Sequence, residues 1–426
     1  MPEIKPFRAV RFDAGAFDMS HIICLPYDVI SPDLQNELYR RHSFNAVRLE
    51  LPKEENGYVL AAQRFRQWQE QGILLREHSP SLYVYEQTYR GIDGNDKTRS
   101  GFFCALALEE FSRGNILPHE RTLSAPKEDR LKILRAVQAN LSPVFGIYSG
   151  AKPMLAEHLR LYSGASLVDI YNERNERNVL FVCNNSDLVQ TTCAQLSGAK
   201  IYIADGHHRY ETALAYRDEM RREHPDAPPD APWNYILTFL CDMNCEALEI
   251  QPTHRLLHSL PGFTRTHFEE NLAQIFQLQS YHSIEEGHAA LGSAGSESIL
   301  FVYPDTTEVM LATLRNGQDV DALFGADVPQ VLRSVSVEIL HTLVLRNMLG
   351  MSDEMLRKKT NIEYVHTVTE VQESLFGGHF QAAAVLKPTT MEQLRQTADS
   401  GVVLPQKSTY FYPKLLSGLV FRDLAN

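Results

Sequence analysis

Ala199-Lys200-Ile201-Tyr202-Ile203-Ala204-Asp205-Gly206-His207-His208-Arg209-Tyr210-Glu211-Thr212-Ala213-Leu214 reads as a short apolar strand, a glycine turn and a helix. Ala199–Ala204 has the length and apolar run of a buried strand. Gly206 supplies the backbone freedom that a tight strand-to-helix turn needs, and the spacing predicts a helix over 207–222, closed before Pro225. Tyr210, Ala213 and Leu214 recur at helical spacing and form its inward face. The first N–H groups of a helix have no acceptor within it, and its dipole places roughly half a positive charge there. Such an end receives anions. Glycine lets an anion reach the backbone closely, while His207, His208 and Arg209 put hydrogen-bonding or cationic side chains on the first turn. Arg209 can fork two hydrogen bonds onto phosphate oxygens. A decorated helix cap fits the same residues, because Asp-Gly commonly precedes a helix. Adjacent histidines point about 100° apart, so these two do not make a metal pair.

Upstream of this stretch, Ser31-Pro32-Asp33 opens a helix through Arg41, with serine as cap and proline at the first helical position. Ala46–Leu51 alternates apolar with charged residues and predicts a half-buried strand. Tyr58–Gln71 predicts a helix, and Ser81–Tyr89 with Arg99–Leu108 predicts two strands joined through Gly91–Asn95. Ser124-Ala125-Pro126 starts a long helix; Pro143–Tyr148 and Asn178–Cys183 read as strands, Met154–Leu161 and Asp187–Leu196 as helices. Downstream, Pro225–Pro232 holds four prolines in eight residues and reads as a surface excursion or soft boundary. Tyr235–Cys241 and Ala247–Gln251 read as strands, Ser334–Met348 as an apolar helix, and Pro405–Phe421 as an aromatic-rich closing segment. Strands and helices mix without regular strand–helix–strand alternation, which predicts an α+β fold: a mixed sheet with flanking helices. The proline tract divides the chain into residues 1–224 and 233–426.

With 426 residues the chain can hold two or three domains. Its net charge of −12 argues against a general nucleic-acid binder, which carries a basic stripe. A local basic pocket for a small phosphate ligand stays compatible with that balance. No apolar run approaches the roughly 18–20 residues that span a bilayer, and Met1–Pro6 carries no secretory pattern. The six cysteines are scattered, and the Cys241/Cys245 pair has no second Cys or His pair at zinc spacing, so buried free thiols and a reduced cytoplasm are expected.

A second polar cluster runs through Pro118-His119-Glu120-Arg121-Thr122 and Pro126-Lys127-Glu128-Asp129-Arg130. Lys127 and Arg130 fall three apart on one helical face. Glu120 or Asp129 has the chemistry of a general base or of a water-mediated Mg2+ ligand, while for Lys127, Glu128, Asp129 and Arg130 the spacing alone favours a solvated charged face. Asp28, after Pro26-Tyr27, sits on a turn and would cap the next segment or serve a site. Lys407–Lys414 mixes hydroxyls, rings and cations, as a ligand wall or an aromatic-packed terminus would, and Thr253-His254-Arg255 is polar between apolar stretches. The P-loop, dinucleotide, serine-hydrolase and zincin motifs are absent from the sequence.

Taken in order, Pro26–Ile30, Arg48–Pro52, Leu117–Thr122, Pro126–Arg130, Asp205–Leu214, Pro252–Arg255 and Lys407–Lys414 resemble the bacterial and archaeal family called domain of unknown function 1015. Asp205-Gly206-His207-His208-Arg209 also resembles the phosphate-binding motif of the ParB/sulfiredoxin-like superfamily, particularly its free serine kinases. Sulfiredoxins carry a catalytic cysteine where His207 stands, so the resemblance does not extend to sulfinic-acid reduction; ParB proteins carry a basic DNA-binding region that this chain lacks. The resemblance implies a ParB/sulfiredoxin-like nucleotide-binding core with α/β elaboration, within residues 1–224. It implies a nucleotide-dependent kinase acting on a small hydroxylated metabolite such as free serine, with ATP or ADP and Mg2+ as cofactors. Asp205, Gly206, His207, His208, Arg209, His119, Lys127, Arg130 and Lys407 would then hold nucleotide. Glu120, Asp28, His208 and Arg209 would carry the chemistry, with no protein-bound metal assigned. The alternative is a ParB-like regulator that binds or hydrolyses nucleotide without an acceptor. Expected partners are nucleotide and small-molecule substrate, not nucleic acid or membrane, and a homodimer stays open.

Overall fold

Strands buried almost continuously along their length build a mixed nine-stranded sheet in the first of two units of the computed structural model, which describes residues 2–122, 124–315, 322–326 and 328–425. The first unit comprises Met1–Pro118, Thr122–Glu249 and Phe411–Asn426; the second comprises His119–Arg121 and Ile250–Tyr410. The proline tract 225–232 therefore lies inside the first unit, as a largely exposed loop, and the chain passes to the second unit after Glu249.

In chain order the sheet strands of the first unit are β1 (Ile4–Lys5), β2 (Leu82–Arg90), β3 (Asp96–Ala107), β4 (Ile116–Leu117), β5 (Val144–Ser149), β6 (Val168–Tyr171), β7 (Arg177–Cys183), β8 (Lys200–Asp205) and β9 (Tyr235–Asp242). Their order is β4-β8-β5-β9-β3-β2-β7-β6, with β1 on β3. Parallel pairing of β8 with β4 and of β9 with β5 sits beside antiparallel neighbours, which makes the sheet mixed. One face carries a core of Val84, Phe102, Cys104, Tyr148, Phe181, Ile201, Ile203 and Leu240, covered by Leu159, Leu196, Tyr210 and Ala213 from helices. The helices are α1 (Pro32–Arg41), α2 (Val47–Glu50), α3 (Gly57–Glu70), α4 (Ser124–Val137), α5 (Leu155–Leu161), α6 (Ser186–Leu196) and α7 (His207–Glu223). The α+β class and the mixed sheet with flanking helices predicted from the sequence are what the chain adopts.

Two local expectations change. Ala46–Leu51 is not a strand: Val47–Glu50 forms a single helical turn. The Asn45 side chain starts it, accepting from Val47 N at 2.9 Å while its amide donates to the His21 carbonyl at 2.8 Å. The alternation misled because its polar members do not face water; Arg48 stacks on Tyr39 and Glu50 is buried. Asp28 does not cap α1 either: it lies in a 3-10 turn over Tyr27–Val29, and Ser31 Oγ accepts from Leu34 N at 3.2 Å.

The second unit holds a six-stranded, wholly antiparallel sheet: β10 (His254–Leu257), β11 (Phe276–Tyr281), β12 (Ser298–Val302), β13 (Val309–Leu314), β14 (Ile362–Val365) and β15 (Ala382–Val385), ordered β11-β13-β12-β15-β10-β14. The period of two divides its residues between two cores. Leu257, Ile299, Phe301, Ala382 and Ala384 face one side, with Phe268 and Leu343; Leu256, Leu300, Val302, Ala383 and Val385 face the other, with Val371 and Leu375. The apolar helix expected over 334–348 is present as an α-helical turn, Ser336–Ile339, continued by a π-helix, Leu340–Met348.

Candidate functional site

The strand-to-helix turn follows from a bulge. Along β8, Ile203 pairs with Gly146 and Asp205 with Phe145, so one residue is left over at Ala204 and the strand end is re-aimed. Gly206 then turns the chain at φ +89°, and a Cβ there would stand 2.9 Å from Arg209 Nε. The first full helical bond of α7 runs from Tyr210 N to Gly206 O at 3.0 Å, so the preceding amides have no acceptor within the helix. Tyr210 anchors this end from inside: its hydroxyl donates to Glu109 O at 2.8 Å and accepts from Glu109 N at 2.9 Å.

Charge gathers on Asp205. Lys414 Nζ lies 3.2 Å from its Oδ2 and an Arg209 nitrogen 3.5 Å from the same oxygen, while Gly206 N donates to Oδ1 at 2.9 Å. Arg209 folds back over Gly206 and also donates to the Pro143 carbonyl. Burial works against its charge, but Asp205, Asp28, Tyr27 and Glu50 outweigh that and hold its pKa above the ordinary value. Tyr27 is pushed up to about 12, chiefly by burial and then by Asp28, with Arg209 and Arg130 opposing.

Arg130 is not on a solvated face, although Lys132 and Glu128 on the same helix are. Its guanidinium donates to Glu50 O at 2.8 Å and lies 4.0 Å from the centre of the Tyr27 ring. Glu50 accepts from Ser142, which meets Ser417 at 2.7 Å. Packing α4 against α3 and α7 buries this face, something its local spacing does not encode. A cavity of ≈ 50 Å³ lined by Glu50, Arg130, Ser142 and Arg209 has room for a few waters. Lys127 instead reaches Glu211 on α7, 2.6 Å away, and Thr122 donates to the same carboxylate. Thus Asp205, Gly206 and Arg209 meet at the turn, with Asp28 and Arg130 in the surrounding charges, while Lys127 of α4 is paired with Glu211, one turn along α7. His207, buried, and His208, half-buried, occupy the first turn.

His119, Glu120 and Lys407 belong to the second unit. His119 Nε2 lies 2.8 Å from Thr409 Oγ1, and Leu404 is bound on both sides of Glu120: its N donates to His119 O at 2.8 Å, its carbonyl accepts from Arg121 N at 3.1 Å. Arg255 is fully buried and donates to Lys407 O at 3.0 Å; burial drops its pKa to about 10 against the pull of Tyr364 and Glu120. Arg255 Nε, Thr253 Oγ1, Tyr364 Oη and His341 Nε2 are buried without a hydrogen-bond partner among the described residues. His254 accepts from Leu386 N at 3.2 Å and is lowered to about 3 by burial first and Arg255 next.

Sequence reasoning singled out Lys407 from the Lys407–Lys414 segment, yet Lys414 is the cation on Asp205. It also passed over Glu50, Ser142 and Glu211. Each is far in sequence from its partner, so no local spacing signals it. Cys241 is buried as expected, but Cys245 is half-buried, its thiol lowered to about 6 chiefly by a hydrogen bond from Cys241.

Among the described residues no helix is long and apolar enough to cross a membrane. No curated protein matches the chain. Solved structures similar to it include a free serine kinase in complex with AMP, 12% identical, TM-score 0.38, with 73% of this chain and 86% of that one covered. A conserved hypothetical protein from Pyrococcus furiosus is 13% identical at TM-score 0.38, covering 76% and 96%. SbnI with a C-terminal truncation, from Staphylococcus aureus, is 11% identical at TM-score 0.37, covering 76% and 88%. A family model described as "Protein of unknown function (DUF1015)" matches residues 4–337, most of the chain, and the chain belongs to that family.

Proposed function

We propose that this protein binds a nucleotide through its phosphates at the N-terminus of α7 and transfers a phosphoryl group to a small hydroxylated metabolite, with free serine the leading acceptor. The observation that supports this most is the convergence of Arg209 and Lys414, both largely buried, on a glycine turn that opens a helix. Two cations and a positive helix end share the Asp205 carboxylate there, which leaves positive potential for a phosphate. Phosphoryl transfer asks a protein mainly for positioning and charge neutralisation. In this reading Gly206 lets the phosphates approach the backbone, the amides of residues 207–209 cradle them and Arg209 neutralises charge as it develops. His208 bonds a terminal oxygen, and Lys127 and Arg130 steady the transferred group. Asp28, whose charge already acts on Arg209, takes the hydroxyl proton; Glu120 is the rival for that role, and substitution of each separates them. His119 and Lys407 are assigned to nucleotide binding. Mg2+, when bound, would neutralise phosphate charge. Free serine as acceptor follows from the motif resemblance of residues 205–209.

The test is direct. The purified chain is incubated with Mg2+, ATP or ADP, and pooled serine-like and polyol acceptors, and phosphorylated products are followed by mass spectrometry. An acceptor-dependent product, lost in Arg209→Ala, is expected. Nucleotide binding or hydrolysis that no acceptor stimulates would replace this reading with the regulator.

A further inference from the structure

His258, Glu363 and His379, all in the second unit, offer one ligand atom each within 4.8 Å of one another. The sheet brings them together. In the β10–β14 ladder Leu256 opposes Glu363, and paired residues in an antiparallel ladder share a face. His258 stands two residues beyond Leu256, on the same side by the period of two, and its N–H continues the ladder to Asn361 O at 3.1 Å. His379 arrives from the turn before β15, the other neighbour of β10, and its ring stacks on that of His258 at 4.9 Å between centroids. The short loop that carries His258 is held from both flanks. Asn361 donates to the carbonyls of His258 and Ser259, and Gln381 both accepts from Leu260 N, at 2.6 Å, and donates to its carbonyl.

We propose that His258, Glu363 and His379 form a binding site for a divalent transition-metal ion, Zn2+ or an ion of similar softness. Two imidazoles and one carboxylate are the donor set of open Zn2+ sites, whereas Mg2+ and Ca2+ take mainly oxygen. Donors at ~2.0–2.2 Å from one ion lie within about 3.5 Å of each other. Closing from 4.8 Å takes side-chain rotation alone, which exposed Glu363 and His379 make readily on a backbone already fixed. His258 Nδ1 lies 3.1 Å from Ser259 Oγ, an outer partner that orients the ring and leaves Nε2 for the ion. Water completes the coordination on the exposed side.

Chelator-treated full-length protein is titrated with ZnCl2 by calorimetry, and Co2+ is added in parallel to read the visible spectrum of a low-coordinate site. The expected result is one equivalent of Zn2+ per chain and a Co2+ band. Both vanish in His258→Ala/His379→Ala, and Glu363→Gln weakens Zn2+ at least ten-fold. Circular dichroism confirms that the exposed Glu363→Gln and His379→Ala variants stay folded. Absence of stoichiometric Zn2+ binding, or binding equally tight in the double variant, overturns the proposal.

Discussion

At Gly206 the backbone sits at φ +89° and ψ 27°, a conformation that an L side chain adopts only at a cost. The same residue is where Arg209 lies flat against the turn. Gly206→Ala therefore carries two penalties: about 1–2 kcal/mol for the left-handed backbone, and the displacement of Arg209 from Asp205 and the Pro143 carbonyl. Urea unfolding of the variant should show a loss of at least that backbone cost, with nucleotide affinity falling alongside. Unchanged stability would mean that the turn relaxes and that glycine is not needed for its conformation. At this scale the sequence was legible where chemistry and spacing are local. Asp205, Gly206 and Arg209 stand within five residues and meet at one turn. Lys414 reaches the same carboxylate from 209 positions away, and nothing in the Lys407–Lys414 segment distinguishes its two lysines except the fold.

Elements were read best where an amphipathic period marks a helix or a continuous apolar run marks a buried strand. The helices α1, α3, α4 and α7 and the strands β2, β3, β5, β7, β8 and β9 stand near their predicted positions. Val47–Glu50 was misread because its charged residues are sequestered, Glu50 against Ser142 and Arg48 on Tyr39, so alternation no longer reports a solvent face. The second unit shows the energetic consequence of burying polar groups on elements. His254 on β10 and His341 in the π-helix are both held down to about 3, from an ordinary 6.5, by burial first and Arg255 next. Folded, they stay neutral; unfolded, they take up protons below about 6.5. The unfolded state then binds more protons, so stability is complete above pH 6.5 and is lost as pH falls towards 3. Between pH 6.5 and 5, above the ordinary carboxylate range, the loss approaches about 1.4 kcal/mol per pH unit for each histidine. Unfolding followed by denaturant across that window checks the slope. His254→Gln should remove about half of it, and a flat profile would show that these histidines are not buried neutral.

For the whole molecule, composition bounded the answer without supplying it. An acidic chain can still concentrate cations, and here Arg209, Lys414 and Arg130 are largely buried around one turn while the net charge is −12. The proline tract looked like a division because proline ends elements, but a loop of that composition serves equally well on the surface of a single unit; the actual passage after Glu249 has no compositional mark. Membership of the family rests on motifs spread over most of the chain, while the nucleotide reading rests on the geometry of one turn. The most direct test of that reading is calorimetric titration of the wild-type protein and Arg209→Ala with ATP and ADP in the presence of Mg2+. Saturable one-site binding by the wild type, weakened at least ten-fold in the variant while its fold is retained, is the predicted result. Absence of binding, or equal affinity in both proteins, would contradict the assignment of the phosphate site to residues 205–209.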